Sequence, residues 1–574
     1  MAWLKYNKKW IYGLCIGLVL GGFAVLYSYL SWESVHMPLL RFSAPDEQAN
    51  YVFSKLFAEQ STLSYPEPLL EVSQHFVHTR SMTASHGEVK PVGFLGFSLI
   101  YGALAKVFSV SAIPFFTPIL SVLTTLFFYA ALKRIFNKKI AFLSSVLLLI
   151  QPAYWYYSSR ALMPNILFLD LLIVGLSLLV IASPTDRKEQ YIKRLFPLKI
   201  MLFGLSGFFI ALSLTVRLSE SLWVGTLLFL WGLIYIRRLT VWRVLSFILG
   251  FAIPIAVLLF YNYSLYGNIL SSGYKLLDAD SSTQAITHAV SIVQHGQLGN
   301  LFDAMKDVIR PYMPLLLPFG YRPDIFWNNG WNYIVQFFWW FTIPTVAGIV
   351  LLLRNQVIHI VNRHVPHQLW YLFVWVGVTF WLLMFYGSWK LTDNINGQIT
   401  LGVSYVRYWL PSYVMALPFI AMLFVWLFEK GRNSILRRSV VITLLGVMMV
   451  MSTQTVLLGG QESLSDNKQQ LHNAQGKAQA VFGYTETEAV IFSERSDKLF
   501  FPERRVAGSF AEFPEINLIV TLIQNAPVYY YGLWNPETAA YVSSKYFEPS
   551  GIRWEYVATV APREHLYRLV RISQ

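Results

Sequence analysis

Long apolar segments recur along most of the chain, and each is close to the roughly 20 residues that a helix needs to cross a bilayer. Short polar connections separate them, so the pattern predicts a bundle of membrane-spanning helices. The first segment has the length of a retained anchor, and no small-residue cleavage pattern follows it. We assign eleven spans, at residues 11–30, 112–132, 140–157, 163–182, 198–216, 221–236, 244–263, 332–353, 369–387, 408–428 and 439–457.

One further segment, residues 92–108, is apolar enough to be counted as a twelfth span. If it crossed the bilayer, the basic cluster at residues 133–139 would lie outside and every later connection would change sides. We therefore expect an interfacial helix that lies along the membrane surface, with Lys106 facing the lipid headgroups.

Orientation follows from where lysine and arginine fall in the short connections. The connections assigned to the cytoplasm hold most of these residues, including the cluster Lys133, Arg134, Lys138 and Lys139. The short connections on the other side hold Arg160, Arg217, Lys390 and Arg407. This asymmetry predicts a cytoplasmic N-terminus and an external C-terminus.

Two long connections are predicted on the external side, at residues 31–111 and 264–331. Loops of this length are usually functional or disordered. The segment 459–574 is richer in charge and is typical of a small α/β domain. Its strand-like runs lie at residues 489–494, 528–534, 554–560 and 566–572, and its amphipathic stretches lie near 512–524 and 537–547.

The predicted fold class is therefore an all-α polytopic membrane domain over residues 1–458, followed by a small extracytoplasmic α/β domain over residues 459–574. Composition supports this, because 55% of residues are hydrophobic and only 13% are charged, against about 25% charged in soluble domains. The net charge of +14 lies mainly between apolar segments, so it indicates orientation and offers no basic face for nucleic acid. The single cysteine, Cys15, lies in the first span and excludes an internal disulfide.

Two adjacent carboxylates, Asp46 and Glu47, follow the first span. A carboxylate near the membrane surface can act as a general base toward an acceptor hydroxyl or amine, or can bind a divalent cation through oxygen. The same residues also suit the first turn of a helix, where acids stabilise the positive end of the dipole. Taken alone, the pair favours the helix cap.

Three cations are candidates for binding a lipid phosphate. Lys90 begins the interfacial segment, where a lysine can pair with a phosphate or simply extend its charge into the headgroup region. Arg217 ends one predicted span and Arg407 begins another, on the side that should be poor in cations. Charges near hydrocarbon usually have a partner, here a phosphate or the acids of the first loop; exposure at a loop edge is the alternative.

A polar cluster is predicted at the ends of the third and fourth spans, with Arg160 and Asn165 at the boundary and Asp170 about one and a half turns deeper. An acid inside the membrane indicates a functional site or a structural bond between helices. The sequence leaves both roles open for Asp170.

The order of these features resembles the multi-span membrane glycosyltransferases that use lipid-phosphate sugars, the protein O-mannosyltransferase and lipid A aminoarabinose transferase kind known as family 39. The motifs are short and follow the family's order over residues 40–430. They are Asp46-Glu47 with Tyr51, Lys90-Pro91, Ser159-Arg160 with Pro164, Tyr261-Asn262, Tyr266-Gly267-Asn268 through Gly273-Tyr274, and Arg407-Tyr408 with Pro411.

The resemblance implies that Asp46 is the catalytic base and that Glu47 is its neighbour or a metal contact. It implies that the carrier phosphate is held by Lys90, Arg217 and Arg407. The residues expected to support the site are Arg160, Asn165, Asp170 and Tyr274. Family members often have an acid where this chain has Asn165, so the resemblance does not extend to a second carboxylate there. The motifs require no particular cofactor, and a divalent cation is the one candidate.

The expected function is transfer of a sugar from a polyprenyl-phosphate carrier, embedded among membrane lipids, to a protein, lipid or glycan acceptor outside a bacterial or archaeal cytoplasmic membrane. The sequence leaves the sugar, the acceptor and the carrier length open. A transporter or flippase of a lipid-linked or anionic substrate is the alternative, but it predicts internal repeats that are not evident. A receptor whose C-terminal domain binds ligand is a third, and it would not need paired acids.

Overall fold

The computed structural model describes residues 2–39, 42–183, 196–274, 319–361, 367–390, 398–429, 434–508 and 516–572. The chain divides into two units. Unit 1 comprises Met1–Leu30, Phe115–Val257 and Ile292–Asp466. Unit 2 comprises Ser31–Pro114, Leu258–Ser291 and Asn467–Gln574.

Helices dominate the described residues. In chain order they are α1 (Ala2–Tyr27), α2 (Tyr29–His36), α3 (Pro45–Gln60), α4 (Gly96–Val107), α5 (Ile113–Ile135), α6 (Lys138–Ile150), α7 (Pro152–Ser159), α8 (Pro164–Ala182), α9 (Phe196–Val216), α10 (Ser221–Tyr235), α11 (Val241–Tyr266), α12 (Pro323–Gly330), α13 (Trp339–Val361), α14 (His367–Tyr386), α15 (Ser404–Tyr408), α16 (Leu410–Glu429), α17 (Ser434–Thr453), α18 (Leu464–Tyr484), α19 (Asp497–Phe500), α20 (Ile516–Asn525) and α21 (Pro536–Val542). The strands are β1 (Tyr65–Pro66), β2 (Met82–Ser85), β3 (Glu88–Pro91), β4 (Val490–Phe492), β5 (Arg505–Ala507), β6 (Val528–Gly532), β7 (Ile552–Ala561) and β8 (Glu564–Arg571).

Eight helical segments of the described chain are long and apolar enough to cross a bilayer, and three bent helix pairs raise the number to eleven if each pair is one span. The bends are 50° between α1 and α2, 54° between α6 and α7, and 87° between Pro323–Gln336 and α13. Each of the eleven predicted spans overlaps one of these segments or pairs, so the polytopic helical domain is confirmed. The exact count and the orientation stay predictions.

The bend between α6 and α7 has a local cause. Pro152 is the first residue of α7, and a proline disfavours the helical conformation for the residue before it. Gln151 accordingly has φ −68° and ψ 120°, which is extended backbone. Its side-chain oxygen accepts the Tyr154 N–H at 2.6 Å, which caps the new helix.

Unit 1 packs some of its helices through glycine. A Cβ on Gly250 would lie 1.9 Å from the Gly204 carbonyl oxygen, and one on Gly207 would lie 2.1 Å from the Phe247 carbonyl oxygen. The backbones of α9 and α11 therefore touch, as small residues allow in membrane helices. Large apolar side chains point away from the unit on other faces, for example Leu249, Phe373 and Ile442. Such surface suits contact with lipid rather than water.

Unit 2 contains two sheets. The smaller has the strand order β1-β3-β2 and is antiparallel throughout. The larger has the order β5-β4-β6-β8-β7, with β4 parallel to both β5 and β6, and with β8 antiparallel to both β6 and β7. Four of its five strands and the helices α20 and α21 fall on the runs that the sequence predicted. The α/β character of the C-terminal segment is therefore confirmed, while β5 and the smaller sheet were not predicted.

The first long connection and the C-terminal segment share one hydrophobic core. Phe53 and Leu70 from the first connection are buried in the same cluster as Ile491 and Tyr531 from the C-terminal segment. Arg80 adds an ion pair with one buried partner, since it is itself exposed and donates to the buried Asp497 carboxylate from Nε at 3.0 Å, from Nη2 at 2.7 Å and from its main-chain N–H at 3.0 Å. Sequence analysis placed residues 31–111 with the membrane domain, whereas these contacts group them with the C-terminal segment in unit 2.

The apolar segment 92–108 forms α4, which has only twelve residues. At 1.5 Å per residue such a helix covers about 18 Å, less than the roughly 30 Å of a hydrocarbon core. Lys106 on α4 donates to the Ser61 hydroxyl at 2.7 Å and lies 4.4 Å from the Phe57 ring centroid. The placement of α4 along the membrane surface stays a prediction.

Most of the second predicted long connection, residues 275–318 of 264–331, lies outside the described residues.

Candidate functional site

Arg217 lies between α9 and α10 in unit 1 and is held by a buried carboxylate. Its guanidinium donates to Glu220 Oε1 from Nε at 3.2 Å and from Nη2 at 2.8 Å. The Tyr386 hydroxyl also donates to Glu220 Oε1, at 2.6 Å, and the Trp223 indole donates to Oε2 at 2.6 Å. Because these side chains come from the ends of α9, α10 and α14, the Arg217 charge is fixed where three candidate spans end.

Arg407 and Arg217 approach the same aromatic ring. Their guanidinium carbons lie 5.2 Å and 5.0 Å from the centroid of the Tyr408 ring. That ring stacks on Tyr386 with centroids 4.4 Å apart and an interplanar angle of 7°. A cation attracted to a π face keeps its N–H donors for other partners. The structure thus brings two of the three predicted phosphate-binding cations together within unit 1.

Asn165 supports Arg407 through the main chain. Its side-chain amide donates to the Arg407 carbonyl oxygen at 3.4 Å, and Arg407 Nη1 lies 3.5 Å from the Met163 sulfur. Arg160 is buried, with its guanidinium carbon 5.8 Å from the Tyr156 ring centroid. At this position an amide, rather than a carboxylate, positions the Arg407 backbone.

Asp170 links three helices of unit 1. Its Oδ2 accepts the Ser121 hydroxyl of α5 at 2.6 Å, and its Oδ1 accepts the Tyr154 hydroxyl of α7 at 2.6 Å. Asp170 itself is on α8 and is 2% exposed. Of the two roles left open by the sequence, these contacts favour the structural bond between helices.

An apolar groove of about 460 Å³ runs along α10 and α14 in unit 1. Its wall follows α10 from Trp223 to Tyr235 and α14 from His367 to Trp381, and Pro411 at the start of α16 also contributes. Trp223 belongs to both this wall and the Glu220 cluster. The groove therefore begins beside the Glu220 cluster at Trp223 and follows α10 for about 18 Å, at 1.5 Å per residue.

The acidic pair begins α3 in unit 2, and its two members differ. Glu47 is buried, and its Oε2 accepts the Ala44 N–H at 2.9 Å, so Glu47 fulfils the capping role. Asp46 is exposed, and its Oδ1 accepts the Ser81 hydroxyl at 2.7 Å. A solvent-facing carboxylate is the one of the two that can meet an acceptor.

Lys90 and Tyr274 also lie in unit 2. Lys90 is 5% exposed, and its ammonium donates to the Leu265 carbonyl oxygen at 2.9 Å and lies 3.6 Å from Glu88 Oε2. An ammonium has three N–H donors, so these partners leave at most one for a phosphate. Tyr274 is half exposed, and its ring centroid lies 5.5 Å from that of Phe94.

The predicted site residues thus fall into two groups, and their catalytic roles stay predictions. Arg160, Asn165, Asp170, Arg217 and Arg407 are in unit 1, whereas Asp46, Glu47, Lys90 and Tyr274 are in unit 2. Sequence analysis did not single out Tyr386 or the groove. Tyr386 carried no signal, because one tyrosine at the end of an apolar segment is common at membrane interfaces.

The candidate divalent cation has no dedicated cage among the described residues. In that part of the chain, no group of three or more His, Cys, Asp or Glu side chains is placed to hold a metal ion. Mg²⁺ commonly binds through one or two carboxylates together with substrate phosphates. Asp46 and Glu47 remain the carboxylates that would contribute, and cation dependence stays a prediction.

No protein-family profile matches the sequence, and no curated protein matches it in sequence. Among solved structures, the chain is similar to the Archaeoglobus fulgidus oligosaccharyltransferase tethered with an acceptor peptide containing the NVT sequon, with 12% identity, coverage of 91% of this chain and 69% of that chain, and a TM-score of 0.53. It is also similar to ArnT from Cupriavidus metallidurans bound to undecaprenyl phosphate, with 11% identity, coverage of 96% and 97%, and a TM-score of 0.53. At these identities the likeness is one of fold. The predicted resemblance to multi-span membrane glycosyltransferases is confirmed at that level.

Proposed function

We propose that this membrane protein transfers a sugar from a polyprenyl-phosphate carrier to an acceptor outside the cytoplasm. The observation that carries the proposal is the arginine pair on Tyr408, placed at the end of the apolar groove in unit 1. A polyprenyl phosphate has an anionic head on a long apolar tail, so it needs these two environments side by side. A protein of the same fold is bound to undecaprenyl phosphate in its solved structure.

In the proposed reaction Arg217 and Arg407 hold the carrier phosphate while the tail lies in the groove. Arginine suits this task because its planar N–H donors match phosphate oxygens two at a time. The Glu220 carboxylate fixes Arg217 but also neutralises part of its charge. Lys90 contributes one N–H at most.

Asp46 is the proposed general base. The acceptor O–H or N–H attacks the anomeric carbon, its proton passes to the Asp46 carboxylate, and the bond from the anomeric carbon to the phosphate oxygen breaks with its electron pair on the phosphate. The arginines then stabilise the charge that develops on the leaving phosphate. An attack in line with the leaving group inverts the anomeric centre.

The test uses the full-length protein reconstituted in liposomes with a radiolabelled polyprenyl-phosphate sugar. Release of polyprenyl phosphate and appearance of label on an acceptor are both measured. Arg407→Gln should raise the donor KM about ten- to a hundredfold, because a charge-assisted hydrogen bond contributes roughly 1.5–3 kcal/mol. Arg553→Gln is the matched control, since Arg553 is exposed and pairs with Glu555 on the same strand.

Two outcomes would contradict the proposal. Equal donor KM values in Arg407→Gln, Arg553→Gln and unmutated protein would show that Arg407 does not bind the carrier phosphate. Movement of the labelled lipid between leaflets without any release of carrier phosphate would favour the flippase alternative.

A further inference from the structure

A second cavity is lined only by residues of unit 2. It has a volume of about 570 Å³, within the roughly 300–1,000 Å³ of small-ligand pockets. Its lining includes one face of α3, the segment from Phe501 to Val506, and Tyr65. The α3 residues in this lining are Gln48, Tyr51, Val52, Lys55, Leu56 and Glu59. Their spacing of three and four residues places them on one side of the helix.

The first feature that points to a ligand is a buried amide oxygen. Gln48 is 2% exposed, and its Oε1 has no hydrogen-bond partner among the described residues. The amide nitrogen of the same side chain donates weakly to the Phe501 carbonyl oxygen at 3.5 Å. Leaving a buried acceptor unsatisfied is costly, so this oxygen favours a ligand that brings an O–H or N–H donor.

The second feature is the aromatic lining. The Tyr65 and Phe501 rings are stacked, with centroids 6.5 Å apart and an interplanar angle of 26°, and Tyr51 lies further along the α3 wall. Burial and, after it, the Glu59 carboxylate raise the pKa of Tyr51 above its ordinary value, and burial and Glu67 do the same for the pKa of Tyr65. Both phenols keep their protons near neutral pH, and the Tyr65 hydroxyl donates to the Met82 sulfur at 3.8 Å.

The third feature is the balance of charge. Three cationic side chains, Lys55, Arg504 and Arg505, face four carboxylates, Glu59, Glu67, Glu488 and Glu503. Arg505 is already paired with both Glu67 and Glu488. A nearly neutral lining disfavours polyanions such as nucleic acid and also polycations. Aromatic faces, phenols, carboxylates and an unsatisfied amide together suit a neutral ligand with many hydroxyl groups.

We propose that this cavity binds a neutral glycan that forms the non-reacting part of an extended acceptor. The purpose of the site rests on the function proposed above, but its ligand binding does not. Residue 48 lies about 200° around the α3 axis from residue 46, at 100° per residue. The cavity and the Asp46 carboxylate are therefore on opposite faces of α3, and only an acceptor long enough to pass the helix end would use both. Binding energy from such remote sugars helps to hold the reacting group in place.

The test is saturation-transfer NMR on the full-length protein in detergent micelles. The probes are short neutral oligosaccharides of glucose, mannose, galactose or N-acetylglucosamine, with an unglycosylated neutral peptide and an oligogalacturonate for comparison. At least one neutral oligosaccharide should bind, and Gln48→Leu should weaken it about tenfold, the effect of one lost hydrogen bond. Gln475→Leu is the control, because Gln475 is also buried with an unsatisfied Oε1 but lines a different cavity.

A second pair of variants does not depend on the buried amide. Lys55→Trp places a bulky ring at the cavity wall and should abolish oligosaccharide binding, whereas Lys545→Trp, at an exposed lysine elsewhere in unit 2, should not. Equal oligosaccharide binding by Lys55→Trp and Lys545→Trp would overturn the proposal, as would stronger binding of the peptide or the oligogalacturonate. Oligosaccharide binding that survives while Arg407→Gln leaves the donor KM unchanged would uphold this site and reject the proposed function.

Discussion

Asp46 and Glu47 are neighbours in sequence, but only Asp46 presents its carboxylate to solvent. We expect Asp46→Asn to lower turnover by about a hundredfold or more, as for the loss of a general base. Stability should change by no more than about 1 kcal/mol, because Glu47 already accepts the Ala44 N–H at the start of α3. The measurement is initial-rate transfer with the donor at saturation.

Asp324→Asn is the matched control for this substitution. Asp324 follows a proline in the first turn of α12 and is exposed, so it reproduces the helical context of Asp46. Turnover in Asp324→Asn should equal that of the unmutated chain. If Asp46→Asn also transferred sugar at the unmutated rate, Asp46 would not be the base.

Individual site residues were predictable where a charged side chain lies at or inside the membrane, a position that disfavours charge. Arg217 and Arg407 drew attention because cations are scarce on that side of the predicted topology, and the structure gives both a common aromatic partner. Asp170 was a candidate because it is an acid inside a predicted span, and its contacts with two hydroxyl groups favour a structural role. A tyrosine at the end of a span is common, so only the contact of Tyr386 with Glu220 in the folded structure identifies it.

At the scale of elements, Lys90 links β3 to the end of α11 through a hydrogen bond to the Leu265 carbonyl oxygen. Lys90→Met keeps a chain of similar length but removes the donor to the Leu265 carbonyl oxygen. We expect a loss of roughly 1–3 kcal/mol of stability, seen as a lower thermal midpoint, since that buried acceptor loses its partner. The donor KM should rise less than in Arg407→Gln.

Lys106→Met is the comparison for Lys90→Met, because Lys106 is an exposed lysine on the adjacent helix α4. It should leave the thermal midpoint nearly unchanged. An unaltered midpoint in Lys90→Met, together with a donor KM raised as far as in Arg407→Gln, would instead make Lys90 chiefly a phosphate ligand.

The ion pair between Arg80 and Asp497 holds α19 to the first long connection within unit 2. Asp497 is 1% exposed, whereas the Arg80 side chain is 36% exposed, so the loss is that of hydrogen bonds to a buried charged acceptor, roughly 1.5–3 kcal/mol. Asp497→Ala should therefore lower the thermal midpoint of unit 2 in the full-length chain. Glu555→Ala, which breaks an exposed pair with Arg553, should cost less than about 1 kcal/mol. Equal midpoints in the two variants would refute the structural importance of the pair between Arg80 and Asp497.

Elements with a regular periodicity were predictable, and those fixed by distant partners were not. Strands β7 and β8 have ten and eight residues and show the alternation that sequence analysis uses. Strands β1 and β5 have only two and three residues, which is too short for any period to appear. The span at residues 140–157 was predicted without a break, although Pro152 lies at the bend that the structure shows there. The 87° break before α13 has no proline at the bend.

At the scale of the whole molecule, topology is the prediction that most needs a direct test. Lys139 at the start of α6 pairs with Glu429 at the end of α16, so these two ends lie at the same end of unit 1. Both were predicted to be cytoplasmic. Reporter fusions after Lys139 and after Glu429 should therefore report the cytoplasm, and a fusion after Gln574 should report the outside. A fusion at Gln574 that reports the same side as Lys139 would refute the eleven-span topology.

The division of the chain into units could not be predicted, although most of its helices could. A sequence pattern depends on neighbours along the chain, whereas the core that contains Phe53 and Ile491 joins segments more than 400 residues apart. Hydrophobic periodicity shows that each segment has a buried face but does not identify its partner.

That shared core has a consequence for biosynthesis. Roughly 360 residues separate α4 from the start of α18, and at about 5–20 residues per second the ribosome needs some 20–70 seconds to make them. During that interval Phe53 and Leu70 have been synthesised but lack the strands that cover them. A chain terminated before β4 would leave the segment that carries Asp46 without its folding partner, so quality control of this protein should depend on the completion of its last hundred residues.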